Sequence, residues 1–305
     1  MNRIATILAA AAALSACSSD PVPNPAETTD RLAVIAGLRA IDVCALYGAT
    51  QTVDGRSLTV LGFGSPLNCE ATVDDSDRPI DATIALNIGP AQPVGEEPSW
   101  VRHAVIDGVD VSITSSDEQP DAPPREDMVA SSCEFAASYP DNARLTVRVS
   151  ADPDVDGCAI AQSLMNTAMS AYKQRPKIGT SGLPSTVLSG ADPCEPAERL
   201  RATRKVDISP ADVTVNSCMF TVDDESVVDV SFSYKDPAML DVSFSQLTID
   251  GHRVVGDDKR GVYDVVVGEP VDGARGRVVP LVSVVGSAGS NELVLDVALA
   301  VAEMF

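Results

Sequence analysis

Six cysteines between positions 44 and 218 constrain this chain more than any other feature, because half of them share one local setting. Asp42-Val43-Cys44, Asp156-Gly157-Cys158 and Asp192-Pro193-Cys194 each place an aspartate two residues before the cysteine. That pattern predicts a helix start, with Asp at the N-cap and Cys in the first turn. In the third copy Pro193 suits the first helical position, and Glu195 stands where a capping-box carboxylate would. The other three cysteines lie in strand-like runs: Asn68-Cys69-Glu70-Ala71-Thr72-Val73, Ser132-Cys133-Glu134-Phe135 and Ser217-Cys218-Met219-Phe220. Many pairings are open to six cysteines. The favoured one joins each helix-start cysteine to a strand cysteine, Cys44–Cys69, Cys133–Cys158 and Cys194–Cys218, with separations of 25, 25 and 24 residues. Loops of this size contribute about 3 kcal/mol each on the chain-entropy account. A zinc site would want closely spaced cysteine pairs or Cys-His clusters, and the chain has none.

The first residues read as a targeting signal. Arg3 is followed by an apolar, Ala-rich run from Ile4 to Leu14, then Leu14-Ser15-Ala16-Cys17. This tetrad resembles the lipobox of bacterial lipoproteins. The resemblance implies cleavage after residue 16 and makes Cys17 the lipid-bearing residue, its sulfur carrying a diacylglycerol and its amine open to acylation. Two or more acyl chains, at about 0.8 kcal/mol per buried CH₂, make a stable anchor. Residues 18–30 are rich in Pro, Ser and Thr and read with Cys17 as a flexible tether, 17–30. Later apolar stretches, 278–285 and 293–302, are too short to span a bilayer. The expectation is a chain anchored on the extracytoplasmic face of a membrane, where an even number of remaining cysteines forms disulfides.

The formal net charge of −22 is shared by both halves of the chain. A surface this acidic argues against nucleic acid and against electrostatic docking on anionic lipid. Aromatics make up only 4% of the residues, so a core must be built from Val, Ile, Leu and Ala.

The halves repeat each other. Cys69-Glu70-Ala71-Thr72-Val73-Asp74-Asp75 aligns with Cys218-Met219-Phe220-Thr221-Val222-Asp223-Asp224, and Ile106-Asp107-Gly108 with Ile249-Asp250-Gly251. Both Asp-Gly pairs predict hairpin turns. The expected fold class is α+β, in two tandem homologous domains. Each is an antiparallel sheet with helices on one face, stapled by helix-to-strand disulfides. The expected boundaries are 31–176 and 191–305, joined by a linker at 177–190. In the first copy strands are expected at 67–73, 80–88, 100–106, 109–114, 129–138 and 144–150, and a closing helix at 157–172. In the second they are expected at 213–222, 227–234, 240–249, 253–256, 262–267 and 277–285, with a helix at 290–303. Residues 115–127, rich in Asp, Glu and Pro, read as a mobile insertion.

Ile41-Asp42-Val43-Cys44-Ala45-Leu46 and Asp192-Pro193-Cys194, each followed by a strand cysteine, resemble an actinobacterial lipoprotein family of unknown function with an Asp-Pro-Cys motif after the lipobox. Here the motif stands in two tandem copies. Val43 replaces the family's proline. Ala71 stands where an aromatic is expected, while Phe220 keeps it. The resemblance implies a cell-surface lipoprotein and assigns no reaction.

Catalytic constellations are absent from the sequence. His103 and His252 are the only histidines and read as surface or hairpin residues. There is no nucleophile elbow, P-loop or dinucleotide fingerprint, so no cofactor is expected. Asp152-Pro153-Asp154-Val155-Asp156-Gly157 matches the opening of a calcium loop, which makes Asp152, Asp154 and Asp156 the candidate metal ligands. Position 12 of such a loop is Ser163, where a bidentate Glu belongs. The alternative reading is an acidic turn that ends in the Asp156 N-cap. Arg199, Arg201, Arg204 and Lys205 form a basic cluster that reads as a solvated helix face paired with acids. The functional expectation is a non-enzymatic envelope protein that binds a ligand or a partner. An accessory or sensory subunit of a transmembrane envelope protein is the alternative, followed by an enzyme whose site the sequence does not reveal.

Overall fold

The computed structural model describes residues 30–75, 78–91, 95, 97–240, 245–257, 260–287 and 289–305. The expected signal peptide (1–16), Cys17 and all of the expected tether except Asp30 lie outside the described residues. The chain opens with α1 (Arg31–Arg39), where the Asp30 side chain caps the helix by accepting from Leu32 N. A 3₁₀ turn (Val43–Tyr47) leads into β1 (Thr52–Val53), β2 (Arg56–Ser65), β3 (Asn68–Asp75) and β4 (Arg78–Ile88). Next come β5 (Arg102–Ile106), β6 (Val109–Ser115), β7 (Ser131–Ser138), β8 (Ala143–Ala151) and α2 (Gly157–Tyr172). The second half holds α3 (Glu195–Leu200), β9 (Val206–Asp207), β10 (Ser217–Val222), β11 (Ser226–Lys235), α4 (Pro237–Leu240), β12 (Ser245–Ile249) and β13 (His252–Asp257). It ends with β14 (Val262–Val266), β15 (Val271–Gly273), β16 (Gly276–Gly286) and α5 (Asn291–Ala302).

The strands form two antiparallel sheets. The first runs β1-β2-β3-β4-β8-β7-β6-β5, and the second runs β12-β13-β14-β16-β11-β10-β9 with β15 paired to β16. Alternation sets the faces. On β8, Ala143, Leu145, Val147, Val149 and Ala151 are buried, and α2 lies across β7 and β8 on that side. On β11, Val228, Val230 and Phe232 point into the second core, which α5 closes by packing on β14 and β16. The hairpin turns follow the sequence: Asp107 and Gly108 have φ of 51° and 80°, and Asp250 and Gly251 have 47° and 86°. Two successive positive values are what a tight I′ turn needs.

Three disulfides join Cys44 to Cys69, Cys133 to Cys158 and Cys194 to Cys218. This is the pairing that the spacing favours. Cys44 lies in the 3₁₀ turn and Cys158 in the first turn of α2, while Cys69, Cys133 and Cys218 lie in β3, β7 and β10. Cys194 stands one residue before α3 and has helical backbone angles.

Several expectations need correction. Cys44 lies in a 3₁₀ turn that starts at Val43 instead of in an α-helix. Glu195 opens α3 and pairs with Arg199 at 3.1 Å instead of reaching back as a capping box. The segment expected as one strand at 213–222 is shorter, with a 3₁₀ turn at Pro210–Asp212 before β10. That expected at 240–249 is a strand only from Ser245, because α4 occupies Pro237–Leu240 and residues 241–244 are not among those described. The 115–127 insertion holds two 3₁₀ turns, tied by Arg102–Glu118 at 2.9 Å and Arg125–Asp117 at 3.5 Å. The helix α1 and the β1–β2 hairpin are additional to the expected elements.

Candidate functional site

Of the three motif aspartates only Asp156 is an α-helix N-cap; Asp42 caps the 3₁₀ turn, and Asp192 and Pro193 lie outside α3, whose N-cap is Cys194. Asp42 Oδ1 accepts from Cys44 N at 3.1 Å and Ala45 N at 3.3 Å, while its Oδ2 accepts from Ser181 N and Ser181 Oγ, both at 2.8 Å. One carboxylate thus caps a turn and holds the connecting segment. Asp192 Oδ1 accepts from Cys194 N at 2.9 Å and from Arg39 Nη1 at 2.7 Å. Arg39 is only 7% exposed; its Nε donates to Val215 O and its Nη2 to Thr214 O, each at 2.9 Å. A buried guanidinium needs this full set of acceptors, since an unpaired one would be costly.

Helix α1 therefore sits between the halves. Leu38 belongs to the first core and Ile35 to the second. Arg31, Ile35 and Arg39 recur at four-residue spacing and so share one helix face. Arg31 extends the seam by donating to Gly89 O at 2.7 Å and Pro210 O at 2.9 Å. The β15–β16 hairpin also meets the first sheet. Ala274 N donates to Phe63 O at 3.1 Å, and Arg275 pairs with Glu70 at 2.6 Å and Asp81 at 3.4 Å.

Between these seams lies a narrow cleft with a volume of about 80 Å³. The first half supplies Phe63 and Leu67, the second half Phe232 and Tyr234, and the connecting segment Leu183 and Leu188. The Phe63 and Tyr234 ring centroids are 4.6 Å apart. Tyr234 OH and Thr186 Oγ1 hydrogen-bond at 2.8 Å. Burial pushes the Tyr234 phenol above its ordinary value, so it stays neutral. The cleft is thus an apolar trough with hydroxyl groups of Ser65, Ser181, Ser185 and Ser189 along it. Apolar walls with a few fixed polar groups are the usual lining of small-ligand sites.

The other sequence candidates are not brought to this cleft. Asp156 caps α2 by accepting from Ala159 N at 3.0 Å. Among the described residues no group of three or more His, Cys, Asp or Glu side chains is placed to hold a metal ion, so Asp152, Asp154 and Asp156 do not assemble into a calcium cage. His103 lies between carboxylates, with Nε2 2.7 Å from Glu97 and Nδ1 3.3 Å from Asp110, and the hydrogen bond with Glu97 is the first cause of its raised pKa. His252 Nδ1 meets Val266 O at 3.0 Å. In the basic cluster Arg199, Arg201, Arg204 and Lys205 pair with Glu195, Glu198, Asp223 and Asp224. Among the described residues no helix is long and apolar enough to cross a membrane.

Comparison with protein-family models, with curated proteins and with solved structures gave no match. Sequence reasoning missed the cleft. Its walls come from three segments far apart in the chain, and Phe63 and Tyr234 lie in strands whose alternation says only which face is buried.

Proposed function

We propose that the protein is a non-enzymatic, lipid-anchored envelope protein that binds a small apolar or amphipathic ligand in the cleft between its two halves. The observation that carries this reading is the cleft itself, walled by both halves and by the connecting segment. Cys17 in its lipobox-like tetrad supports anchoring at the extracytoplasmic face. The two halves are read as tandem homologous modules, 31–176 and 191–305. The order β3-β4-β8-β7-β6-β5 parallels β10-β11-β16-β14-β13-β12, with a cysteine in β3 and in β10. Duplication followed by ligand capture at the junction accounts for both the repeat and the cleft. An accessory role beside a transmembrane partner is the second reading, supported by the anchor alone.

The test is native mass spectrometry of the protein extracted from its own membranes in a neutral detergent. A reproducible extra mass, lost in a Leu188→Trp variant that fills the cleft, is the expected result. A bare protein mass in every preparation would remove the ligand reading and favour the partner protein. Cys17→Ala is expected to release the chain from the membrane or block its processing; a variant still processed and membrane-bound would refute the anchor.

A further inference from the structure

We propose that the outer face of the first sheet carries an oxyanion site, in which Arg144 and Arg148 clamp the phosphate or carboxylate of a polyhydroxylated ligand. Both arginines project from β8 on the face opposite Leu145 and Val147, which are fully buried. Among the described side chains they stand apart. Neither has a hydrogen bond or an ion pair, whereas every other arginine whose side chain is described contacts a carboxylate or a backbone carbonyl. In a chain of net charge −22, two guanidiniums without an ion pair are a marked departure.

The sheet register shows how the place is built. Arg148 lies opposite Thr83 on β4 and Glu134 on β7. Arg144 lies opposite Asn87 and Ser138. The row between them is Asn68, Ala85, Thr146 and Ala136, a floor of mostly small side chains. The two arginine Cα atoms are four strand residues apart, about 13 Å, so their long side chains can converge over Thr146. Ala136 is 1% exposed although it lies on this outer face, as expected if longer side chains cover the floor. Asn68 Oδ1, at the end of the floor, is buried and has no hydrogen-bond partner. The resulting trough has a volume of about 440 Å³ and shares no lining residue with the inter-half cleft.

Two of the acids near this charge are engaged elsewhere. Glu70 lies across Thr83 from Arg148, and Asp81 faces Ser150, two residues along β8; both are held by Arg275 from the second half. Glu134 is the carboxylate left beside the trough, and it makes no ion pair with Arg148. Guanidinium forks match the geometry of phosphate and carboxylate oxygens. Thr83, Thr146 and Asn87 add hydroxyl and amide groups that suit the hydroxyls of a sugar or polyol.

The experiment uses the full chain in neutral detergent. Calorimetric titrations with glucose 6-phosphate and with glucuronate test a soluble source, with glucose as the neutral control. Native mass spectrometry with phosphatidylglycerol against phosphatidylcholine tests a headgroup source. Binding of the anionic probe and not the neutral one is expected in at least one arm. It should weaken about 10-fold or more in R144Q and in R148Q, and vanish in the double variant at unchanged melting temperature. R144K/R148K, which keeps the charge and loses the forks, should retain weak binding, and E134Q should bind more tightly. Binding confined to one arm identifies the source. No binding in either arm, or equal binding by wild type and the double variant, would overturn the site. A failed cleft experiment would leave this result untouched, because the two places have no residue in common.

Discussion

Tyr47 shows how a single polar atom is placed in an apolar core. Its side chain is fully buried, and its hydroxyl lies 3.1 Å from both Cys69 O and Ala82 O, on β3 and β4. One proton serves two acceptors, and burial drives the phenol far above its ordinary value. Tyr47→Phe removes that donor and leaves buried carbonyls short of a partner. A loss of about 1–2 kcal/mol is expected in urea unfolding. Asp229 presents the opposite case. It is half-buried on β11, and burial raises its pKa. A carboxyl with a raised folded-state pKa favours the fold while protonated, below its unfolded value, and loses that contribution as pH rises through the folded value. Asp229→Asn should therefore raise the melting temperature at pH 7 and give no gain at about pH 3, below the ordinary aspartate value. An equal gain at both pH values would show that ionisation is not the cause. Residue identity also explains the turns: Asp-Gly at 107–108 and at 250–251 was readable because few residue pairs accept two positive φ angles in succession.

At the scale of elements, α1 and β2 explain what was not readable. The α1 segment has apolar residues on two faces because it serves two cores, Leu38 in one and Ile35 in the other. Such a helix lacks the single stripe that a pattern search seeks. β2 is interrupted by register shifts between Val60 and Gly62 and between Phe63 and Ser65, so its period-two alternation is broken. The irregularity has a structural use. Gly62 takes φ 132°, a conformation L side chains rarely adopt, and beside it Ala274 N reaches Phe63 O. Ile35→Ala should cost about 2–4 kcal/mol, as for other buried aliphatic truncations. Arg39→Ala should loosen the seam further by leaving Val215 O and Thr214 O without their donor. Calorimetry is then expected to resolve two transitions where the wild type shows one. A single transition at an unchanged midpoint would mean that α1 does not couple the halves.

For the whole molecule, charge and crosslinks act in opposite directions. A net charge of −22 repels itself in the compact state, while three disulfides limit the unfolded one. Most of the ion pairs are exposed, so they add little stability. Raising salt from about 10 mM to about 150 mM should therefore raise the melting temperature, because screening relieves more repulsion than it removes attraction. A fall would show that the surface pairs outweigh the net charge.

Local chemistry was enough for part of this architecture. An Asp two residues before Cys, an Asp-Gly turn and strict alternation along β8 or β11 each depend on neighbours within a few residues, so they are legible from the chain alone. The cysteine pairing was legible too, because three similar spacings left one simple arrangement of helix starts and strands. The seam and the two troughs were not. Arg39 finds Asp192 and Arg275 finds Glu70 across 153 and 205 residues. Arg144 and Arg148 stand apart only once every other described arginine has met its acceptor. These outcomes depend on which surfaces the packed halves bring together, and no local pattern encodes that.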